Sequence, residues 1–318
     1  MVKQARKCVK CDKSSYCSGF CRQHFMNYFE KKVLRTIHQF KLFTKQEKVA
    51  VAVSGGKDST VCLYVLKKLG YNVEALTVNA FIGNYSQENL DNLRKVCKQY
   101  SLKLYEISFR EEFGMSLCFI TSVAKSRGLD YSSCLICGVL RRYLLNKHAK
   151  KLGFDCVCTG HNLDDEAQAF VMNVFRNDLT LARRQGPMTG SGTSKSFVRR
   201  VKPLYLHSEK EVIAYSKIMK FPVKYTRCPC SVDAYRKEYR EMLTAFEKRH
   251  PPIKYNIVSF FLQSIYDMRK KHPQLFAEKS VVGECQYCAE PCAKDTCKRC
   301  QILITIKGEE KQEKKDKC

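Results

Sequence analysis

No apolar run in this chain approaches the roughly 20 residues that a membrane-spanning helix requires. The opening Met1-Val2-Lys3-Gln4-Ala5-Arg6-Lys7 has no apolar stretch of the kind a secretory signal carries. The expectation is a cytoplasmic protein without a membrane partner. Acidic residues are few: 31 Asp and Glu face 57 Lys and Arg, a formal charge of +26. That excess is more than solubility needs. It argues for a polyanionic partner, with nucleic acid the first candidate. A basic surface with no cognate partner is the plainer alternative. The chain also lacks any long internal repeat.

Cysteine, by contrast, is abundant, with 19 in 318 residues. In a chain expected in the cytosol, that argues for metal or redox chemistry rather than a disulfide framework. The length suffices for one large domain with a full core and small appendages.

Residues 49–60 read V-A-V-A-V-S-G-G-K-D-S-T. A short apolar, β-branched run fits a buried strand. Ser54-Gly55-Gly56-Lys57-Asp58-Ser59 follows, and then a periodic apolar segment at 61–69 that reads as a helix. Strand, glycine loop and helix start together bind phosphate, because the helix presents free N–H groups and glycine lets backbone approach the anion. The spacing is not that of a Walker A loop. It resembles the PP-loop of ATP pyrophosphatases, which implies cleavage of ATP between the α and β phosphates. A mere glycine turn would leave Lys57, Asp58 and the hydroxyls without a purpose.

Strands are expected at 48–53, 72–78, 103–107 and 155–159, with helices at 61–69, 86–100, 111–126 and 139–151 between them. That alternation predicts an α/β fold with a parallel sheet covered on both faces. An amphipathic helix is expected at 27–43, with Phe29, Val33, Ile37 and Phe40 on one face. A Gly/Ser/Thr-rich loop at 186–196 reads as mobile. Ser208 and Glu211 form a capping box that opens a helix to about 220. Further helices are expected at 233–249 and 258–269. The chain divides into an N-terminal zinc module at 1–28, a linker helix at 29–47 and the α/β domain at 48–250. A helical extension at 251–280, a C-terminal zinc ribbon at 281–304 and a disordered charged tail at 305–318 complete it.

The C-terminal cysteines form paired knuckles, Cys285-x-x-Cys288 and Cys297-x-x-Cys300, which suit a tetrahedral structural Zn²⁺, with Cys292 spare. At the N-terminus five candidates compete for four places. Cys8, Cys11, Cys21 and His24 are favoured for a second zinc; Cys8, Cys11, Cys17 and Cys21 are the rival set. Cys134-x-x-Cys137 stands apart within the α/β domain, and its nearest possible partners are Cys228 and Cys230. Three thiolates from two distant segments suit an iron–sulfur cluster with one open iron. A zinc site using Cys230, or a redox pair passing a persulfide, are the alternatives. Cys62, Cys97, Cys118, Cys156 and Cys158 read as core packing.

These motifs together resemble the tRNA 2-thiouridine synthetases of the TtcA/TtuA superfamily, on the side of archaeal NcsA and the eukaryotic cytosolic wobble-uridine thiolases. The resemblance rests on Ser54-Gly55-Gly56-Lys57-Asp58-Ser59, Cys134-x-x-Cys137-Gly138, Thr159-Gly160-His161-Asn162-Leu163-Asp164-Asp165-Glu166-Ala167, Arg184-Gln185-Gly186-Pro187, Arg200-Val201-Lys202-Pro203 and Cys228-Pro229, flanked by both zinc modules. It implies a Rossmann-like PP-loop domain and a homodimer, or a heterodimer with a paralogous subunit. It implies that ATP adenylates the C2 oxygen of a tRNA uridine, and that sulfur then displaces AMP. It implies a [4Fe-4S] cluster on Cys134, Cys137 and Cys228. The implied sulfur source is a ubiquitin-like carrier with a C-terminal thiocarboxylate, or free sulfide.

On that reading Ser54, Gly55, Gly56, Lys57, Asp58 and Ser59 hold the phosphates, and Lys57 neutralises the departing pyrophosphate. Ala52 and Val78, at strand ends, border the adenosine through backbone atoms. Gly160 permits close approach of the nucleotide. Asp165 stands near the reacting phosphate, either through Mg²⁺ or by aligning the uridine; the alternative is that Asp164 or Asp165 only caps the next helix. One departure is Arg141, where T-loop thiolases of the superfamily have a lysine. Arginine can grip phosphate but cannot shuttle a proton, which favours the wobble branch and puts a general-base role in doubt.

Overall fold

The computed structural model describes residues 7–178, 181–182, 184–190, 197–226, 228–231, 235–273, 284–288, 290, 292 and 294–308. A short antiparallel pair, β1 (Lys7–Cys8) and β2 (Cys11–Ser14), opens the described chain. At the centre of the main sheet lies β3 (Val49–Ala52), whose successive residues alternate between two apolar layers. Val49 and Val51 face one hydrophobic cluster and Ala50 the other. This two-sided burial is why the strand reads as a continuous apolar run.

β3 pairs in parallel with β4 (Val73–Asn79) on one side and with β6 (Cys156–Thr159) on the other. β5 (Leu104–Ser108) extends the sheet beyond β4, and β8 (Arg199–Val201) beyond β6. The outermost strand, β7 (Met188–Thr189), pairs with β8 antiparallel, so the sheet is mostly parallel. The order is β5-β4-β3-β6-β8-β7, and the winding reverses between β3 and β6. A crevice at the carboxyl ends of strands at such a reversal is where α/β sheets bind ligands.

One face of the sheet is covered by α1 (Arg22–Gln39), α2 (Lys57–Lys68) and α8 (Glu209–Ile218). Phe25, Phe29, Val33 and Ile37 of α1 are almost fully buried there, each contributing about 1.5–3 kcal/mol of transfer free energy. The other face is covered by α5 (Leu117–Ser126) and α6 (Ser133–Lys151), with α11 (Lys298–Lys307) packed on both. Ile302 and Ile306 of α11 enter that core, and Arg127 Nη1 donates to the carbonyls of Thr305 and Ile306 at 2.9 and 2.8 Å. The two cysteine-rich ends of the chain therefore anchor on opposite faces of one sheet. α7 (Leu163–Phe175), α9 (Arg236–Arg249) and α10 (Ile253–Lys271) form a smaller cluster through Leu163, Ala167, Leu243 and Val258.

Several boundaries differ from the sequence expectation. α1 starts at Arg22, not 27, so the cysteine module runs directly into the helix. The helix expected at 111–126 is two, α4 (Phe109–Phe113) and α5, because Gly114 takes φ +73° and Ser116 caps a new start. α3 spans Gly83–Gln99. α10 begins at Ile253, immediately after Pro252, which supplies its N-cap. Within the loop expected at 186–196, Met188–Thr189 is strand; 191–196 lies outside the described residues, as does the tail from 309. Cys62, Cys97, Cys156 and Cys158 are buried, but Cys118 is exposed. Its neighbour Leu117 turns inward and donates its N–H to Ala80, which rotates Cys118 to the solvent.

Candidate active site and metal centres

α2 begins at Lys57, with Gly56 as its N-cap, so the glycine loop opens directly onto free helix N–H groups. The loop is held from inside. Ser54 N–H donates to Ser59 Oγ at 3.1 Å, and Ser59 Oγ donates to the Gly56 carbonyl at 3.2 Å. Gly55 has φ +77°, and a Cβ there would lie 2.3 Å from the Asn89 carbonyl oxygen of α3. Both conditions demand glycine. At Gly160, just after β6, a Cβ would lie 2.8 Å from the backbone of Asp58 and Ser59. The close approach that Gly160 admits is thus to the start of α2 itself.

Lys57 Nζ is bound between two carboxylates, Asp58 Oδ2 at 2.8 Å and Glu209 Oε1 at 2.9 Å. Burial would lower its pKa, but these partners raise it above the ordinary lysine value. Asp58 also accepts from Asn162 Nδ2 at 3.0 Å. Its pKa is pushed up, by burial first; Lys57 opposes this and the charge of Asp165 adds to it.

Asp164 and Asp165 divide the work at the head of α7. Asp165 Oδ2 accepts the N–H of Asn162 at 3.2 Å, which closes a capping box, and Asp165 Oδ1 lies 3.8 Å from Arg236 Nη1. Asp164 is buried, pairs with Lys254 of α10, and accepts the N–H of Glu209 at 2.7 Å. Glu209, Asn162, Lys254 and Arg236 are site residues that sequence reasoning did not single out. The capping box at Ser208 announced the helix, but nothing local announced that its first turn meets Lys57.

Cys134 and Cys137 lie in the first turns of α6, whose N-cap Ser132 accepts from Leu135 N–H at 3.3 Å. Cys230 lies on a 3₁₀ turn (Pro229–Ser231) that Cys228 immediately precedes, and Cys134 Sγ donates to the Cys230 carbonyl at 3.4 Å. All four line one cavity of about 300 Å³, together with Ser54 of the glycine loop, Val78 and Arg141. Arg141 Nε donates to Cys137 Sγ at 3.1 Å and its Nη1 to the Val78 carbonyl at 2.6 Å. A larger hollow of about 780 Å³ opens at the opposite, amino end of the strands, beside Glu47, Asp155 and Arg199, away from every residue named for the site.

The terminal clusters are tighter. Cys8, Cys11, Cys21 and His24 bring four ligand atoms within 4.8 Å of one another, and so do Cys285, Cys288, Cys297 and Cys300. Cys11 Sγ to Cys21 Sγ is 3.8 Å and Cys288 Sγ to Cys297 Sγ is 3.7 Å. Four thiolates about 2.3 Å from a tetrahedral ion stand about 3.8 Å apart. His24 enters through Nδ1, at 3.4 Å from Cys8 Sγ, whereas Cys17 turns to Ser18 instead. The thiol of Cys285 is brought down to about 6, against the effect of burial, by N–H groups that include Cys297 N at 3.3 Å. Cys297 is pushed up to about 11 by burial and by the neighbouring thiols. A divalent ion would relieve that crowding. Cys134, Cys137 and Cys228, from two separate segments, offer three thiols to one cavity, a donor set that suits an iron–sulfur cluster.

A family model described as a PP-loop domain matches residues 26–225. The chain belongs to the PP-loop family. Within the PP-loop proteins it falls in the TtcA/TtuA superfamily, on the NcsA-like branch. It is 35% identical over 302 residues to the tRNA-5-methyluridine(54) 2-sulfurtransferase of Pyrococcus horikoshii, covering 93% of each chain. It is 33% identical over 292 residues to cytoplasmic tRNA 2-thiolation protein 1 of Drosophila mojavensis, covering 90% of this chain and 81% of that one. Its structure is similar to the U34-tRNA thiolase NcsA from Methanococcus maripaludis with its [4Fe-4S] cluster, with a TM-score of 0.77 and 29% identity over 95% of this chain and 96% of the other.

Proposed function

We propose that this protein is an ATP-dependent tRNA 2-thiolase that acts on the wobble uridine. One observation carries the reading: Ser54, the first residue of the glycine loop, lines the same cavity as the cysteines at 134, 137 and 228. ATP activation and sulfur delivery then meet at one substrate atom.

The glycine loop and the α2 N-terminus take the phosphates of ATP, and the rim formed by Ala52 and Val78 takes the adenosine. Attack of the uridine C2 oxygen on the α phosphate forms the adenylated uridine and releases pyrophosphate. Lys57 stabilises charge on that leaving group. Asp58 and Asp165 are hard oxygen donors close enough to influence each other, a set suited to Mg²⁺ beside the phosphates. Sulfur attack at C2 then expels AMP. A [4Fe-4S] cluster on Cys134, Cys137 and Cys228 would supply an iron without a protein thiolate, a Lewis acid for sulfide. Arg141 keeps the thiol of Cys137 and the strand end at Val78 in fixed relation. The two terminal sets hold zinc and brace opposite faces of the sheet.

The +26 charge supports tRNA as the polyanionic partner, bound largely through phosphates and so salt-sensitive. A thiocarboxylated ubiquitin-like carrier or free sulfide provides sulfur, and the protein works in the cytoplasm as a dimer. Arg141 favours the wobble position. The relative from Pyrococcus horikoshii, a tRNA-5-methyluridine(54) 2-sulfurtransferase, keeps the T-loop uridine as the second reading.

The test incubates anaerobically purified protein with unmodified tRNA, ATP and sulfide, followed by nucleoside mapping. The expected product is 2-thiouridine in the anticodon loop with stoichiometric AMP. Thiolation in the T-loop would move the position. Neither AMP nor thiolated base would mean a non-catalytic RNA-binding scaffold.

A further inference from the structure

α9 packs beside the head of α7 and carries two arginines toward its N-terminal end. Arg236 and Arg240 are four residues apart and so share one face. α9 packs on α7, and Arg236 Nη1 reaches to 3.8 Å from Asp165 Oδ1. Arg240 Nε is buried and has no hydrogen-bond partner among the described residues. No ion pair within 4 Å involves Arg240 either, among those residues. A buried guanidinium nitrogen without an acceptor is costly, and it marks a place where an acceptor belongs.

The neighbouring carboxylate is Glu209. It sits at the first turn of α8, 2.9 Å from Lys57 Nζ, with its backbone N–H fixed on Asp164. Burial alone would raise the pKa of Glu209; Lys57 holds it below the usual carboxylate range, and Arg240 and Lys254 add to this. Glu209 thus lies in the field of Lys57 from α2 and of Arg240 from α9. A phosphoryl oxygen entering beside the glycine loop would compete with Glu209 for those same cations.

We propose that Arg240, assisted by Arg236, completes the phosphate site from α9 and grips the pyrophosphate end of ATP opposite Lys57. The inference rests on the PP-loop reading above and adds to it a second, cationic wall contributed by a different part of the chain. Its chemistry is recognition of a phosphoryl dianion by a planar fork of N–H donors. The same chemistry could serve a phosphate of the tRNA backbone, so the experiment separates the two sources.

Full-length, metal-loaded protein is titrated calorimetrically with ATP and with AMP, and tRNA affinity is measured by filter binding. Arg240→Gln should weaken ATP about tenfold, the scale of one lost charged hydrogen bond, with AMP and tRNA within about twofold of wild type. Arg236→Gln should act in the same direction and less. Arg240→Lys keeps the charge without the fork and should recover part of the loss, which a fold defect would not. Unchanged ATP affinity, equal weakening of ATP and AMP, or loss confined to tRNA each overturns the assignment. Lys57→Ala is the reference. If it lowers ATP affinity while Arg240→Gln does not, the α9 inference alone fails. If neither does, the PP-loop reading fails with it.

Discussion

Arg141 donates through Nε to the thiol of Cys137 at 3.1 Å, one helical turn along α6. The other end of the same guanidinium holds the Val78 carbonyl of β4. A lysine has one nitrogen and cannot span both contacts. Arg141→Lys should therefore lower thiolation by about tenfold or more, the value of one charge-assisted hydrogen bond, while ATP binding persists. Thiolation at the wild-type rate in Arg141→Lys would show that the bridge has no role.

The cysteines around the cavity make a sharper prediction. Single serine substitutions at Cys134, Cys137 and Cys228, reconstituted anaerobically, should lose both visible iron–sulfur absorption and thiolation. Cys230→Ser should keep both. If Cys230→Ser also loses the absorption, four thiolates hold the cluster and the open-iron reading must be abandoned. Thiolation by iron-free protein would point instead to a persulfide.

Lys57→Ala should abolish AMP formation with the fold retained by circular dichroism. Gly160→Ala should have a similar outcome for a different reason, since its Cβ would press to 2.8 Å on the backbone at Asp58 and Ser59 and displace the loop. Wild-type AMP release by Lys57→Ala would remove the basis of the nucleotide site.

Elemental analysis should find about two zinc ions per chain besides iron. Cys8→Ser and Cys285→Ser should each lose about one of them, and Cys17→Ser should keep both. Chelation should lower the melting temperature, because ligand binding is folding free energy in such modules. Full zinc retention in both ligand variants would exclude these sets as the sites.

His207 gives a pH prediction. Its ring is fully buried against Phe29, with centroids 4.3 Å apart, and Nε2 lies 3.2 Å from the Phe29 carbonyl, to which it donates. Nδ1 has no partner among the described residues. Burial, with Lys32 nearby, holds its pKa down to about 3. An unfolded histidine takes a proton near pH 6.5, so the unfolded chain binds more protons between about 6.5 and 3. Stability should therefore fall as pH drops below about 6.5, with His207 contributing up to about 1.4 kcal/mol per pH unit. Urea unfolding at pH 7 and pH 5 should show a smaller drop in His207→Gln than in the wild type. Equal drops would assign the acid sensitivity elsewhere.

What the sequence determined by itself was local. Alternating β-branched residues at 49–53 dictated a strand buried on both faces, and the loop from Ser54 to Ser59 dictated an anion-binding helix start. The C-x-x-C spacings dictated knuckles, because two thiolates three residues apart can reach one ion. Helix boundaries were less legible where one left-handed glycine, Gly114, or one cap, Pro252, outweighed the apolar period. The sequence favoured His24 over Cys17 beside Cys8, Cys11 and Cys21, and the early start of α1 places His24 Nδ1 3.4 Å from Cys8 Sγ. Tertiary structure alone decided that Glu209 meets Lys57 across 152 positions, that Lys254 neutralises Asp164, and that Arg236 reaches Asp165. These contacts join helices that follow different strands of one sheet. Their geometry is set by strand order and by the reversal of winding between β3 and β6. Strand order follows from how the whole core packs, and no local pattern of residues encodes it.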